Sequence, residues 1–161
     1  MTKGSNRQRA GDERDRGAVA VEFALILPIF VALVFGVISF GYMLSYRQGL
    51  SQAAAEGSRA AAVVPSGLDA AAKSTRARNA INQALAGYGV SCNGNTLVHD
   101  GEVNGSCSIQ PRVSCPADAS RMCAIITVTH EYRDHPLVPS FPGLGVSLPQ
   151  NLTYTAVVEA N

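Results

Sequence analysis

The side chains best able to do chemistry form two histidine clusters in the C-terminal half of the chain. Histidine beside carboxylates can bind a metal or transfer protons. No Gly-x-Ser-x-Gly, His-Glu-x-x-His or phosphate-binding loop accompanies them. If a strand runs through the second cluster, its first two members point to opposite faces. We therefore expect solvated surface residues, with no catalysis, metal or cofactor. The clusters are His99 with Asp100, and His130, Glu131, Asp134 and His135.

The cysteines are the other residues with chemical potential. All four lie in the last half of the chain, at Cys92, Cys107, Cys115 and Cys123. A zinc site is the alternative to disulfides, but the spacings contain no Cys-x2-Cys pair and no His-x3-His pair completes one. An even number in an exported region favours two disulfides. Three pairings are possible, and nearest-neighbour closure, Cys92 with Cys107 and Cys115 with Cys123, is the simplest.

A single carboxylate, Glu22, stands at the start of a long apolar run. Residues 23–46 contain no charged side chain, and about 20 such residues cross a hydrocarbon core of roughly 30 Å as a helix. The run is longer than the apolar core of a secretory signal, and no Ala-x-Ala-like site closes it. We predict a transmembrane anchor rather than a buried core helix. Because an ionised side chain inside a membrane is costly, Glu22 needs an explanation. It either has a partner or, lying only one turn inside the run, reaches the membrane surface.

The flanking charges predict how the anchor is oriented. Five basic residues precede the apolar run, whereas Arg47 and Arg59 are the ones close behind it. The positive-inside bias then keeps the N-terminus in the cytoplasm and exports the C-terminal part. The net charge of +1 gives no indication of a nucleic-acid partner. The five are Lys3, Arg7, Arg9, Arg14 and Arg16.

Three regions follow from composition. Residues 1–17 are polar and are typical of a flexible cytoplasmic leader. Residues 18–64 predict one long helix, kinked at Pro28 and stopped by Pro65. Residues 65–161 predict one small exported domain. The outer half of the helix repeats a small residue every four positions, which lets helix backbones approach closely. The repeat consists of Gly41, Ser45, Gly49, Ala53, Gly57 and Ala61.

The exported region predicts an α+β domain. Ser66 and Asp69 resemble a helix cap before an amphipathic helix over residues 70–86, with Gly87 as its stop. Lys73, Arg76 and Arg78 are expected on the wet face of that helix. The patterns of residues 123–132 and 152–158 predict two strands, and the pattern of residues 106–113 predicts a weaker third. A Pro- and Gly-rich connection separates strand 123–132 from strand 152–158. A small antiparallel sheet is expected.

The segment around Glu22 resembles a known signature. A basic leader ending in Gly17, then Ala18, Glu22 and Phe23 at the start of an apolar helix, is similar to the type IV prepilin pattern. Residues 16–28, the Phe40-Gly41 pair and the Ala-rich stretch 52–62 look specifically like the TadE-like pseudopilins of tight-adherence, or Flp-type, pilus machines.

The resemblance carries specific implications. A prepilin peptidase would cut between Gly17 and Ala18, and Glu22 would pair with the new amine of Ala18 in its own or a neighbouring subunit. Expected partners are that peptidase, other pilin-like subunits, assembly platform proteins and the lipid bilayer. The expected location is the bacterial cytoplasmic membrane, with possible incorporation into the pilus.

The expected function is therefore a non-enzymatic minor pilin-like component that acts by helix packing. The outer domain is bulkier than a major Flp pilin requires, which favours an accessory role. Two alternatives remain open. An unprocessed, membrane-anchored binding module or adhesin would use the same anchor, and an anchored hydrolase would need the histidine clusters to converge.

Overall fold

The computed structural model describes residues 6–63, 69–138 and 148–160, with side chains described from Val19 onward. It contains two helices, a short 3-10 turn and five strands. The predicted α+β class is confirmed, with a long apolar N-terminal helix, a second helix, an antiparallel sheet and two disulfides.

Helix α1 spans Asn6–Ala62 and contains Pro28. The flexibility of the leader stays a prediction, but the helix begins at Asn6, earlier than the predicted start at Ala18. The reason is composition, because Arg, Gln, Glu and Ala in this stretch are good helix formers that extend a helix already nucleated by the apolar run. The helix ends just before Pro65, the predicted stop.

Helix α2 spans Ala70–Leu85 and runs back against α1. Its N-cap is Asp69, whose side chain accepts a 2.8 Å hydrogen bond from the backbone N–H of Ala72. Ser66, the other predicted cap residue, lies outside the described residues. The chain leaves the helix through a 3-10 turn and reverses at Gly89, with φ of 68°, rather than at Gly87.

Five strands form one antiparallel sheet in chain order. The three predicted strands are present as β3, β4 and β5, and β1 and β2 were not anticipated. Two tight turns, Gly94-Asn95 and Asp100-Gly101, connect the first three strands, and Gly94, Asp100 and Gly101 have positive φ. The bounds are β1 Val90–Asn93, β2 Thr96–His99, β3 Glu102–Ser114, β4 Met122–His130 and β5 Leu152–Glu159.

Both helices cover the same face of the sheet, so that the core lies between them and the strands. Along β4 the inward residues alternate with Ile125, Thr127 and Thr129, and the two threonines form cross-strand hydroxyl pairs with β5 on the other face. This alternation is the period-two pattern of a half-buried strand. The inward set is Ala124, Ile126, Val128 and His130.

Two disulfides tie the sheet together. Cys92 in β1 is bonded to Cys107 in β3, and Cys115 is bonded to Cys123 in β4. This is the nearest-neighbour pairing, and it leaves no free cysteine in the part of the chain that the structure describes. The predicted pair of disulfides is thus present.

Candidate functional site

Helix α1 has two halves with different surroundings. Its N-terminal half exposes large apolar side chains from Val19 to Leu44, with exposures between 37% and 71%. From Met43 onward, one side of the helix is buried by the domain. Within the described residues, α1 is long and apolar enough to cross a membrane. The first half therefore has the surface of a membrane anchor, whereas the second half is part of the folded domain.

The predicted processing residues lie on the first half. Glu22 is exposed, and Phe23 is 63% exposed. Gly17 and Ala18 belong to the helical backbone of α1, and their side chains lie outside the described set. Because residues four apart share a helix face, Glu22 lies on the same face as Ala18. The spacing therefore suits a carboxylate that pairs with an amine at residue 18.

The small-residue repeat contacts the 3-10 turn and α2 of the same chain at the positions of its two inner glycines. A Cβ added at Gly49 would lie 2.5 Å from Cε2 of Tyr88, and one added at Gly57 would lie 2.7 Å from Cγ1 of Ile81. Ala53 and Ala61, between and beyond them, are fully buried. The small side chains thus allow α2 to approach α1 closely.

The two membrane-side members of the repeat differ from the rest. Ser45 Oγ lies 3.0 Å from the hydroxyl of Tyr88, which itself donates to the Ser45 carbonyl at 2.9 Å. A Cβ at Gly41 would meet nothing within 4 Å. Gly41 is therefore the member of the repeat that stays open to another molecule.

The His130 cluster differs from the sequence expectation. His130 has no exposed surface, so its assignment to the solvated surface is wrong. It occupies an inward position of β4, in phase with Ile126 and Val128, and this phase was visible in the alternation of the strand. Glu131 follows the strand and is exposed, as is Asp134.

Both ring nitrogens of His130 are used. Nε2 lies 2.8 Å from the carbonyl oxygen of His135, and Nδ1 lies 2.7 Å from the hydroxyl of Tyr46. A carbonyl can only accept, so Nε2 carries the proton and Nδ1 accepts from Tyr46. Burial lowers the pKa of His130, which favours the neutral ring. The ring is a structural link between β4 and α1, with no free nitrogen for catalysis.

Aromatic rings complete this junction. Tyr46 packs edge-on against Tyr88 and His130 and is stacked on Tyr132, with centroid distances of 5.1, 5.2 and 6.0 Å. Burial raises the pKa of Tyr132. The four rings join α1, the 3-10 turn and the end of β4 at the level where the apolar half of α1 gives way to the domain. We call them the junction cluster.

The other histidines do not converge on a site. His99 Nδ1 lies 3.6 Å from the carboxylate of its neighbour Asp100, which is 86% exposed. Among the described residues no group of three or more His, Cys, Asp or Glu side chains could hold a metal. The arrangement offers structural contacts rather than an acid/base pair.

The basic residues of α2 also depart partly from expectation. Lys73 is 2% exposed and lies on the buried face with Ala77 and Ile81. Its assignment to the wet face is therefore wrong, because its place in the four-residue repeat of that face overrides its charge, and its methylene stem is compatible with burial. Arg76 is exposed as expected, and Arg78 is half-buried.

Comparisons with known proteins concern the same helix. Residues 17–59 match the family model described as TadE-like protein. The resemblance identified in the sequence is confirmed over these residues, and the match is consistent with a TadE-like protein of tight-adherence pili. No curated protein and no solved structure gives a match. The α+β part of the chain beyond residue 59 is thus described by its own geometry alone.

Proposed function

We propose that this chain, whose residues 17–59 match the TadE-like family, is a minor pilin-like component of a tight-adherence pilus assembly or secretion machine. The observation that carries the proposal is the position of the match, which covers the apolar half of α1 and continues into the half packed under the domain. The role is non-enzymatic and consists of helix packing.

The proposed location is the bacterial cytoplasmic membrane, with the N-terminus in the cytoplasm and the disulfide-bonded domain outside. The exposed apolar half of α1 supports anchoring. The basic flank before residue 18 supports the orientation, and two disulfides suit an oxidising compartment.

Processing is proposed at the Gly17-Ala18 bond by a prepilin peptidase. The new amine of Ala18 would then lie one helical turn from Glu22, in the same subunit or in a neighbour. An opposite charge offsets the cost of a carboxylate at the edge of the apolar layer. Cleavage would thus create the partner that Glu22 requires.

Packing with other pilin-like subunits and platform proteins is proposed to use the apolar half of α1. The outer part of the small-residue repeat supports this choice, because Gly49 and Gly57 are already in close contact with Tyr88 and Ile81 of the same chain. Gly41 remains open, and it is the member of the repeat we assign to contacts between subunits.

Terminal sequencing of the chain extracted from membranes tests the proposal. A mature start at Ala18 in cells with an active prepilin peptidase, and an intact Met1 in cells without it, are expected. An intact Met1 in both strains contradicts processing. Deleting the chain should also prevent pilus formation. Normal pili with lost surface attachment would instead favour an unprocessed adhesin or binding module.

The hydrolase alternative is tested with the two histidines that are not buried. Replacing His99 and His135 together by Asn should leave pilus assembly intact, because neither side chain lies in the core. His130 is left in place here, since its replacement would lower stability and so affect assembly without any loss of catalysis. A hydrolytic activity of the purified chain that this double variant removes would overturn the non-enzymatic role.

A further inference from the structure

A small cavity lies beside α1 where the helix leaves its apolar half. Its volume is about 320 Å³, and it is lined by Leu44, Arg47, Gln48, Ser51 and Tyr154. Four of these residues belong to α1, and Tyr154 comes from β5. The cavity therefore sits between the anchor helix and the edge strand of the sheet.

The height of the cavity follows from helix geometry. A hydrocarbon core of roughly 30 Å takes about 20 residues at 1.5 Å each, so a span that starts at Phe23 ends near Tyr42. Arg47 is five residues further on, about 7 Å beyond the hydrocarbon edge. The headgroup layer on each side of a bilayer is about 5 to 8 Å thick. Arg47 therefore lies at the level of lipid phosphates.

The chemistry of the lining suits an anion with an apolar tail. Arg47 Nε donates a 2.9 Å hydrogen bond to the Tyr154 hydroxyl, which holds the guanidinium in place while its two Nη groups have no hydrogen-bond partner among the described residues. Such a fork matches phosphate oxygens. Gln48 and Ser51 are exposed polar neighbours. Leu44, 51% exposed, lies one turn nearer the bilayer.

The charges around the cavity are compatible with an anion. None of the described residues that line it is acidic. Arg47 is also the first charged residue after Glu22. It is therefore the cation of this helix nearest to the C-terminal end of the apolar run. The closest acidic residue that follows on α1 is Glu56, which pairs with Arg59 rather than Arg47.

We propose that this cavity binds the phosphate headgroup of an anionic phospholipid, with Arg47 as its main ligand and Leu44 against the upper acyl chain. Bound lipid would fix the height and rotation of the domain on the membrane surface. The proposal rests on membrane anchoring alone. It depends neither on the pilus role nor on which leaflet the domain faces. The lipid site and the proposed pilus function can therefore fail separately.

Native mass spectrometry of the full chain tests the site. The chain is released from zwitterionic micelles that contain equal amounts of phosphatidylglycerol and phosphatidylcholine with the same acyl chains. One phosphatidylglycerol should be retained with about fivefold preference, as expected for one arginine at an anionic surface. Arg47→Gln should remove the preference. Equal retention of both lipids by the unmodified chain would overturn the proposal.

Arg59→Gln is the matched control, because Arg59 is exposed on the same helix three turns further from the bilayer. It should keep the full preference, and an equal loss in both variants would reduce the effect to general surface charge and overturn the site. Ser51→Glu is a second variant that preserves the Arg47–Tyr154 bond. It should also remove the preference by placing a carboxylate in the cavity, and full retention in it counts against the site.

Soluble glycerol phosphate distinguishes the two sources of phosphate. If the site recognises a lipid, an equal concentration of glycerol phosphate should not displace phosphatidylglycerol, because it lacks the acyl chain that contacts Leu44. Displacement at equal concentration would assign the cavity to a free phosphate compound and overturn the lipid.

Discussion

The hydroxyl of Tyr46 donates a 2.7 Å hydrogen bond to Nδ1 of His130, a residue 84 positions later in the chain. Neither side chain has exposed surface. The bond therefore joins α1, at the end of its apolar half, to the last residue of β4. The bond is one of the contacts that hold the domain against α1 at the point where the exposed apolar half of the helix ends.

Tyr46→Phe should lower the free energy of unfolding by about 1–3 kcal/mol, because it leaves Nδ1 of His130 buried without a donor. The measurement is denaturant unfolding of the full chain in detergent, followed by circular dichroism. Tyr42→Phe is the matched control, since Tyr42 packs edge-on against Tyr88 and its hydroxyl makes no hydrogen bond to the described residues. An equal loss in both variants would contradict the assigned bond.

Stability should fall when the pH drops below about 6.5, the pKa of an unfolded histidine. Burial lowers the pKa of His130 in the folded chain, and the backbone carbonyl of His135 and Glu131 oppose this while His135 and His99 add to it. The unfolded chain then binds a proton that the folded chain does not, so stability rises with pH from the folded pKa up to about 6.5 and is level above it.

Unfolding curves between pH 5 and pH 7.5 measure this effect. His130→Asn should be less stable overall but should lose most of the pH dependence in this interval. His99→Asn, the control, should keep most of it, because burial rather than His99 is the main cause of the lowered pKa of His130. Asp118, whose pKa is lowered by hydrogen bonds from Ser120, contributes only below about pH 4 and does not interfere. An unchanged slope in His130→Asn would remove His130 as the cause.

Gly57→Leu should lower the free energy of unfolding and Gly41→Leu should not, although both glycines belong to the same repeat. At Gly57 the new side chain collides with Ile81 and separates α1 from α2, at a cost of about 1–3 kcal/mol. At Gly41 it meets open space, so the free energy of unfolding of the isolated chain should hardly change. Denaturant unfolding in detergent measures both variants. Equal stabilities would contradict the contact with α2.

The Gly41→Leu chain also separates folding from assembly. If the apolar half of α1 packs against neighbouring subunits through Gly41, this variant should accumulate normally in the membrane and yet reduce the number of pili. Normal pili would remove Gly41 from the proposed subunit contact while leaving the rest of the proposal in place.

The elements that could be predicted from the sequence are those whose residue pattern repeats over many positions. The apolar run, the four-residue repeat and the alternation of β4 each span many residues, so their period stands out from composition. The two first strands were missed because each has only four residues. The Asp100-Gly101 dipeptide between β2 and β3 was an available hairpin signal, since both residues adopt the positive φ that such a turn requires.

The candidate site could be predicted only in part, because polarity pointed to the wrong surface for two residues and the main contacts are distant in sequence. The buried positions of Lys73 and His130 were both encoded in periodicity, but their polarity suggested the surface. The link between Tyr46 and His130 depends on how α1 lies across the sheet, and no local pattern reports a contact between residues so far apart. The partner of the small-residue repeat was likewise unpredictable, because a close helix contact within one chain has the same spacing as one between chains.

Removing the Cys92–Cys107 disulfide should destabilise the domain more than removing Cys115–Cys123. The first closes a separation of 15 residues, for roughly 3 kcal/mol, and the second one of 8 residues, for roughly 2.5 kcal/mol. Cys92 and Cys107 are also both in the main core, so their loss opens a cavity. Paired alanine variants, compared by unfolding and by the amount accumulated in cells, measure the difference. The reverse order would contradict the assigned importance of the core disulfide.

Glu22→Ala should reduce pilus assembly without releasing the chain from the membrane. The carboxylate is exposed at the start of the apolar half, so its removal costs no packing within the chain and makes the anchor more apolar. What it removes is the proposed partner of the Ala18 amine. Where the pair joins neighbouring subunits, losing an ion pair of about 1 kcal/mol shifts the equilibrium between free and assembled subunits about fivefold. Electron microscopy of pili, with immunoblots of the membrane fraction, measures both quantities. Glu56→Ala, which removes a half-exposed carboxylate that pairs with Arg59 three residues away, is the control and should assemble normally. Unchanged pili in Glu22→Ala would show that Glu22 needs no partner and simply reaches the membrane surface.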